Sequence, residues 1–216
     1  MLRRYVLTGT PGAGKTVLGH ALRQRGYAVV PEAATDVIAG EQARGVDEPW
    51  QREDFCDKIV LLQRQRQTEP PAGQIGVQVY DRSPLCTLAL ARYLARPVTP
   101  LLAEEVARVV EERVYEHSVF FVRPLGFVVS TSARRISYPE SLRFEAVHEQ
   151  VYREHGYQLV DVPAGAITER AAAIDTYIKQ RGEAMTHPGG AQPAIPAVAQ
   201  RGRRCLFGRL VPGAGK

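Results

Sequence analysis

Residues 9–16 read Gly-Thr-Pro-Gly-Ala-Gly-Lys-Thr, between the apolar stretch Tyr5-Val6-Leu7 and a segment with helical periodicity. The pattern is a glycine, four residues, then Gly-Lys and a hydroxyl side chain. Three glycines in six positions let the backbone turn through positive φ and come close to an anion. Successive N–H groups then converge as a nest for phosphate oxygens. A helix that opens at Gly14 adds its positive end. Lys15 supplies a point charge for the β- and γ-phosphates, and Thr16 a hydroxyl for Mg²⁺. The expected nucleotide contacts are Gly9, Thr10, Pro11, Gly12, Ala13, Gly14, Lys15 and Thr16, with ATP and Mg²⁺ as the ligands. The bare pattern arises by chance in about one percent of chains this long. Its place between an apolar strand and a helix makes the match more specific.

The rest of the chain alternates strand and helix patterns. Strands are expected at Tyr5–Leu7, Tyr27–Val30, Ile75–Val79, Val119–Val122 and Tyr157–Val162. Helices are expected from Gly14 to Arg25, stopped by Gly26, and over 33–43, 50–68, 84–95 and 100–116. Ser137-Tyr138-Pro139-Glu140 has capping-box spacing and should start a helix through His155, stopped by Gly156. Ile167, Ala171, Ile174 and Ile178 mark one face of a last helix. Such alternation predicts an α/β/α three-layer P-loop fold on a five-stranded parallel sheet. Gly126 to Pro139 reads as an excursion over the cleft, a lid.

After Gly182 the character changes. Ten of the 34 residues in 183–216 are Pro or Gly, and five basic side chains face one acid. This predicts a P-loop domain over 1–182 and a disordered basic tail over 183–216. The remainder carries 23 basic and 22 acidic residues, so no nucleic-acid surface is expected on the folded part. The tail is a candidate segment for a partner or an anionic surface. No apolar run approaches the ~18 residues that cross a bilayer, and the apolar start is too short for a signal peptide. Cys56, Cys86 and Cys205 are far apart and odd in number, which suits a reducing, cytoplasmic setting.

Asp81 follows the third strand, where an acid holds Mg²⁺ directly or through water. Arg82 comes next and should lie near the phosphate cleft, able to hold an acceptor group or a transferring phosphoryl group. Glu32 ends the second strand, at the sheet edge where ligands of open parallel sheets gather. A carboxylate there can orient an acceptor hydroxyl or take its proton. Arg134 and Arg135 lie in the lid segment, which can exclude water and bring in a cation. Trp50 and Phe55 have helical spacing and read as core. His20, His117, His148 and His155 have no ligand spacing and no assigned role.

Taken in order, Val-x-Thr-Gly-x-Pro-Gly-Ala-Gly-Lys-Thr, Gly-Tyr-Ala-Val-Val-Pro-Glu-Ala-Ala, Pro-Trp-Gln-Arg-Glu-Asp-Phe, Tyr-Asp-Arg-Ser, Ala-Arg-Arg and Tyr-Arg-Glu-His-Gly-Tyr-Gln-Leu-Val-Asp-Val-Pro resemble a known family. It is the small single-domain AAA-type P-loop ATPase family related to the nicotinamide-riboside kinase domain. The resemblance covers about residues 2–181. It implies a nucleoside/nucleotide-kinase-like fold with Glu32, Asp81, Arg82 and Arg134 facing the cleft. The chain departs from the family's pattern at Thr35, often arginine there, and at Cys86, often aspartate.

Two functions follow as expectations. One is an ATP-dependent small-molecule kinase with a nucleoside- or nucleotide-like acceptor, Lys15, Arg82 and Arg134 steadying the phosphoryl group. The other is a regulatory nucleotide-binding protein or slow ATPase without such an acceptor. A kinase should present a second pocket beside the γ-phosphate, lined by Glu32 and Arg82. A Ras-like GTPase is disfavoured, since its guanine-reading segment needs asparagine and the chain has none.

Overall fold

The computed structural model describes residues 2–69, 76–125 and 137–186. Five parallel strands form one sheet in the order β2-β3-β1-β4-β5. They are β1 (Arg3–Thr8), β2 (Ala28–Val30), β3 (Val77–Asp81), β4 (Ser118–Val122) and β5 (Gln158–Val162). All five residues of β4 are buried, the mark of a strand covered on both faces. Residues alternate between two cores. Tyr5 and Leu7 face α1 (Lys15–Gln24) and α7 (Ile167–Thr186). Val6 and Tyr80 face the layer holding α3 (Phe55–Thr68), α4 (Pro84–Tyr93), α5 (Pro100–Glu111) and α6 (Tyr138–Glu154). Helix α2 (Ala33–Gln42) packs on α3 around Phe55 and Ile59. The three-layer α/β/α architecture is the one the alternating pattern predicts.

Several helix boundaries differ from expectation, each for a local reason. Helices α4 and α5 stop early because Ala95 and Arg113 adopt left-handed φ of 51° and 50°. The chain then closes through Arg96 N–H to Ala91 O and Val114 N–H to Val109 O, at 2.9 and 3.1 Å. These are Schellman closures without glycine. The helix expected over 50–68 is broken. Pro49–Gln51 makes a 3-10 turn and α3 starts at Phe55. Arg96 holds the break by donating to the carbonyls of Trp50 and Arg52.

The capping box at Ser137 and Glu140 is present. Helix α7 runs to Thr186, four residues past the expected boundary. The lid residues Arg134 and Arg135, Ile75, and the tail from 187 with Cys205 lie outside the described residues. No described helix is long and apolar enough to cross a membrane.

Candidate active site

Sheet order places the chemistry. Strand β1 runs between β3 and β4, so the loop after β1 emerges beside the ends of both. Gly9 has a φ of 122°, and a Cβ there would sit 2.3 Å from the Val122 carbonyl oxygen. Only glycine lets the loop cross the end of β4 so closely. Gly12 and Gly14 also take positive φ, 86° and 84°, and α1 opens at Lys15. The Lys15 ammonium is buried within the loop and donates to the carbonyls of Gly9 and Thr10 at 3.0 and 2.8 Å. Burial, with Arg82 nearby, lowers its pKa to about 8. A phosphate group would supply the counter-charge that this lysine has in only limited measure.

The register Leu7↔Asp81 sets Asp81 beside the loop. Its Oδ1 is buried and has no hydrogen-bond partner. Burial raises its pKa to about 6, although Lys15 pulls the other way. Arg82 has a positive φ of 78°, and its N–H donates to Leu7 O at 3.0 Å. This turns the guanidinium towards the end of β2, where its Nε pairs with Glu32 Oε1. The other Glu32 oxygen accepts from Thr35 Oγ1 at 2.9 Å. Burial pushes the Glu32 carboxyl up, but Arg82, Lys15 and Thr35 prevail and hold it at about 2. Glu32 is thus a fixed carboxylate, a good hydrogen-bond acceptor and a weak base.

A cavity of about 570 Å³ opens from the loop. Lys15, Thr16, Glu32, Asp81 and Arg82 all line it, as do Pro11, Gly12 and Gly14. Gly9, Thr10 and Ala13 lie buried within the loop behind them. The α2–α3 cluster provides an apolar wall through Ile38, Trp50, Phe55 and Ile59. Trp50 and Phe55 are therefore core and cavity lining at once. Thr35 and Cys86, where the chain departs from the family pattern, also line the cavity. Cys86 Sγ lies 3.2 Å from both Thr8 Oγ1 and the Tyr152 hydroxyl.

Two residues without a sequence motif complete the site. His148 is fully buried, and its Nε2 lies 3.2 Å from Arg82 Nη1. Its Nδ1 lies 2.9 Å from Phe144 O. Since the carbonyl can only accept, Nδ1 carries the hydrogen and Nε2 accepts from Arg82. Burial and the Arg82 charge lower the imidazole to about 3, so it stays neutral. Arg82 is thereby held from both sides. Arg170, 1% exposed, donates to Ala13 O at 2.8 Å, to Arg123 O at 3.0 Å and to Val162 O at 3.4 Å. It ties the phosphate loop to the ends of β4 and β5. Among the described residues no group of three or more His, Cys, Asp or Glu forms a metal cage.

A family model described as AAA domain matches residues 4–170. A sequence comparison with curated proteins finds no match. Among solved structures, NadR protein in complex with NR is 20% identical over 82% of this chain and 50% of its own, with a TM-score of 0.62. Deoxyadenosine kinase from M. mycoides with bound dCTP is 13% identical over 82% and 99%, with a TM-score of 0.58. Shikimate kinase from Acinetobacter baumannii in complex with shikimate is 16% identical over 84% and 95%, with a TM-score of 0.50. Identities this low establish a shared fold. The chain spans half the length of NadR and nearly all of the two kinases.

Proposed function

Because the chain belongs to the AAA domain family, we propose that it uses this P-loop site as a Mg-ATP-dependent small-molecule kinase with a nucleoside- or nucleotide-like acceptor. One observation carries the reading. The cavity continues from the phosphate loop past Glu32 and Arg82 to an apolar wall, which leaves room for a second substrate. Ligand pockets of about 300–1,000 Å³ hold molecules of this size. Beyond the nucleotide itself, a site built only to hydrolyse ATP needs space for water alone.

In this reading the acceptor hydroxyl oxygen attacks the γ-phosphorus. The bond from phosphorus to the β,γ-bridging oxygen breaks, and its electron pair leaves with ADP. Lys15 and Arg82 face the charge that builds on the phosphoryl oxygens. Glu32 accepts a hydrogen bond from the hydroxyl and so aims its lone pair. As a weak base, it receives the proton only once the new O–P bond has made that proton acidic. Arg134, outside the described residues, is assigned the same role as Arg82 from the sequence alone. Mg²⁺ fits the donor set, with Thr16 and the unpartnered carboxylate oxygen of Asp81 as its holders. Few protein ligands suit an ion that keeps waters and takes phosphate oxygens. When bound, it would offset the β- and γ-phosphate charge. The cytoplasmic placement remains part of this proposal; Cys56 and Cys86 are buried free thiols.

The test is ADP release from Mg-ATP, alone and with a panel of nucleosides, nucleotides and sugars. Release should rise with one acceptor class. Glu32→Gln should keep the ATP Kd and lower transfer about 100-fold or more, whereas Lys15→Ala should abolish nucleotide-dependent activity. A slow rate indifferent to every acceptor would replace the kinase with a nucleotide switch.

A further inference from the structure

The charged groups of the cavity are unevenly placed. Among the described lining residues, the charged side chains are Lys15, Glu32, Asp81 and Arg82. All four interact with one another at the phosphate end. Neither cation is spare. Lys15 is bonded within the loop, and Arg82 is paired with Glu32 and braced by His148. The wall supplied by α2, the Pro49–Gln51 turn, α3 and α4 is apolar or neutral. Trp50, Phe55 and Leu90 give it flat and aliphatic surface. Gln63 and Thr87 add polarity without charge, and both are buried. Gln63 Oε1 accepts from Thr87 Oγ1 at 3.1 Å, so the amide is held in one orientation. With its carbonyl committed, Gln63 offers its N–H groups, which suit a ring nitrogen or a ring carbonyl.

We propose that the acceptor carries no phosphate or carboxylate away from its reacting hydroxyl, and is a nucleoside or similar uncharged hydroxylated ring. A phosphate or carboxylate against this wall would lose its water and meet no cation among the described lining residues, a severe cost for a buried charge. An aromatic ring gains dispersion and burial there instead. Acceptors whose charge would lie against this wall, such as nucleoside 3′-monophosphates and sugar acids, are thereby excluded. The term acceptor rests on the kinase reading; selective binding in the cavity does not.

Trp50 is the sole tryptophan and lines the cavity, so its fluorescence reports occupancy. The full chain, saturated with ADP, is titrated with adenosine, guanosine, cytidine and uridine. Each is compared with its 3′-monophosphate, and shikimate serves as a carboxylated control. A 5′-phosphate would mimic the transferred group and is not diagnostic. At least one nucleoside should saturate the signal, with its 3′-monophosphate and shikimate at least about tenfold weaker. Gln63→Leu should weaken that nucleoside about tenfold at unchanged ADP affinity. A 3′-monophosphate or shikimate that binds as tightly as the nucleosides overturns the proposal, as does the absence of saturation by any nucleoside. A nucleoside that binds but accepts no phosphoryl group sinks the kinase reading and leaves this one. Phosphoryl transfer to a 3′-monophosphate or to shikimate does the reverse.

Discussion

Gly9→Ala isolates the contact on which the phosphate loop turns. At φ 122° an alanine is strained, at a cost of about 1–3 kcal/mol. Its Cβ would also lie 2.3 Å from Val122 O and 3.2 Å from Val122 C. These are backbone atoms, so no side chain can swing aside. Relief requires the loop or the end of β4 to shift by about an ångström, a distortion typical of overpacking at about 1–3 kcal/mol. The β1–β4 pairing Thr8↔Phe121 is one residue away and would feel that shift. Together the costs come to about 2–6 kcal/mol, with a midpoint of about 4, a large share of a small domain's stability. Gly26→Ala is the control. Its φ is 91°, but nothing lies within 4 Å of its added Cβ. It should cost only the left-handed penalty, about 1–2 kcal/mol. Urea unfolding followed by circular dichroism measures both. The reasoning fails if the two variants lie within about 1 kcal/mol of each other.

The other predictions concern residues that position the site. His148→Leu removes the acceptor that braces Arg82. It should lower kcat about tenfold at unchanged ATP Kd, and His148→Gln, which keeps an acceptor, should recover most of it. A change confined to the melting temperature would contradict this role. Arg170→Met strands the carbonyls of Ala13, Arg123 and Val162, and should cost about 2–4 kcal/mol in urea unfolding and about tenfold in ATP affinity. Unaltered ATP affinity in that variant would deny Arg170 any hold on the phosphate loop.

What the sequence revealed was local, and what it hid was assembled by tertiary contact. The loop over 9–16 and the pair Asp81-Arg82 are contiguous, and apolar strands precede both, so their place at one sheet edge could be read directly. Glu32 followed from the end of β2. The stops at Gly26 and Gly156 were legible because glycine announces positive φ. Ala95 and Arg113 do the same work with side chains that favour no such turn, and two helices were overrun. The break before Phe55 depends on Arg96, more than 40 residues away in the chain, and no local pattern contains it. His148 lies 66 residues from the arginine it supports. A signal was present. The buried face of α6 holds Ser141, Glu145 and His148 among its apolar residues, and polar groups on a buried face mark a site. Arg170 similarly sits on the buried side of α7, where a charge needs partners from elsewhere. Trp50 read as core because the cavity wall is itself a hydrophobic cluster.

The central claim is transfer of a phosphoryl group to a second substrate in this cavity. Its most direct test is incubation of the chain with Mg-ATP labelled in the γ-phosphate and each of four nucleosides, followed by separation of the products. The account predicts label in one or more nucleoside monophosphates, none with Lys15→Ala, and about 100-fold less with Glu32→Gln. Label recovered solely as inorganic phosphate, at a rate no nucleoside alters, would contradict it.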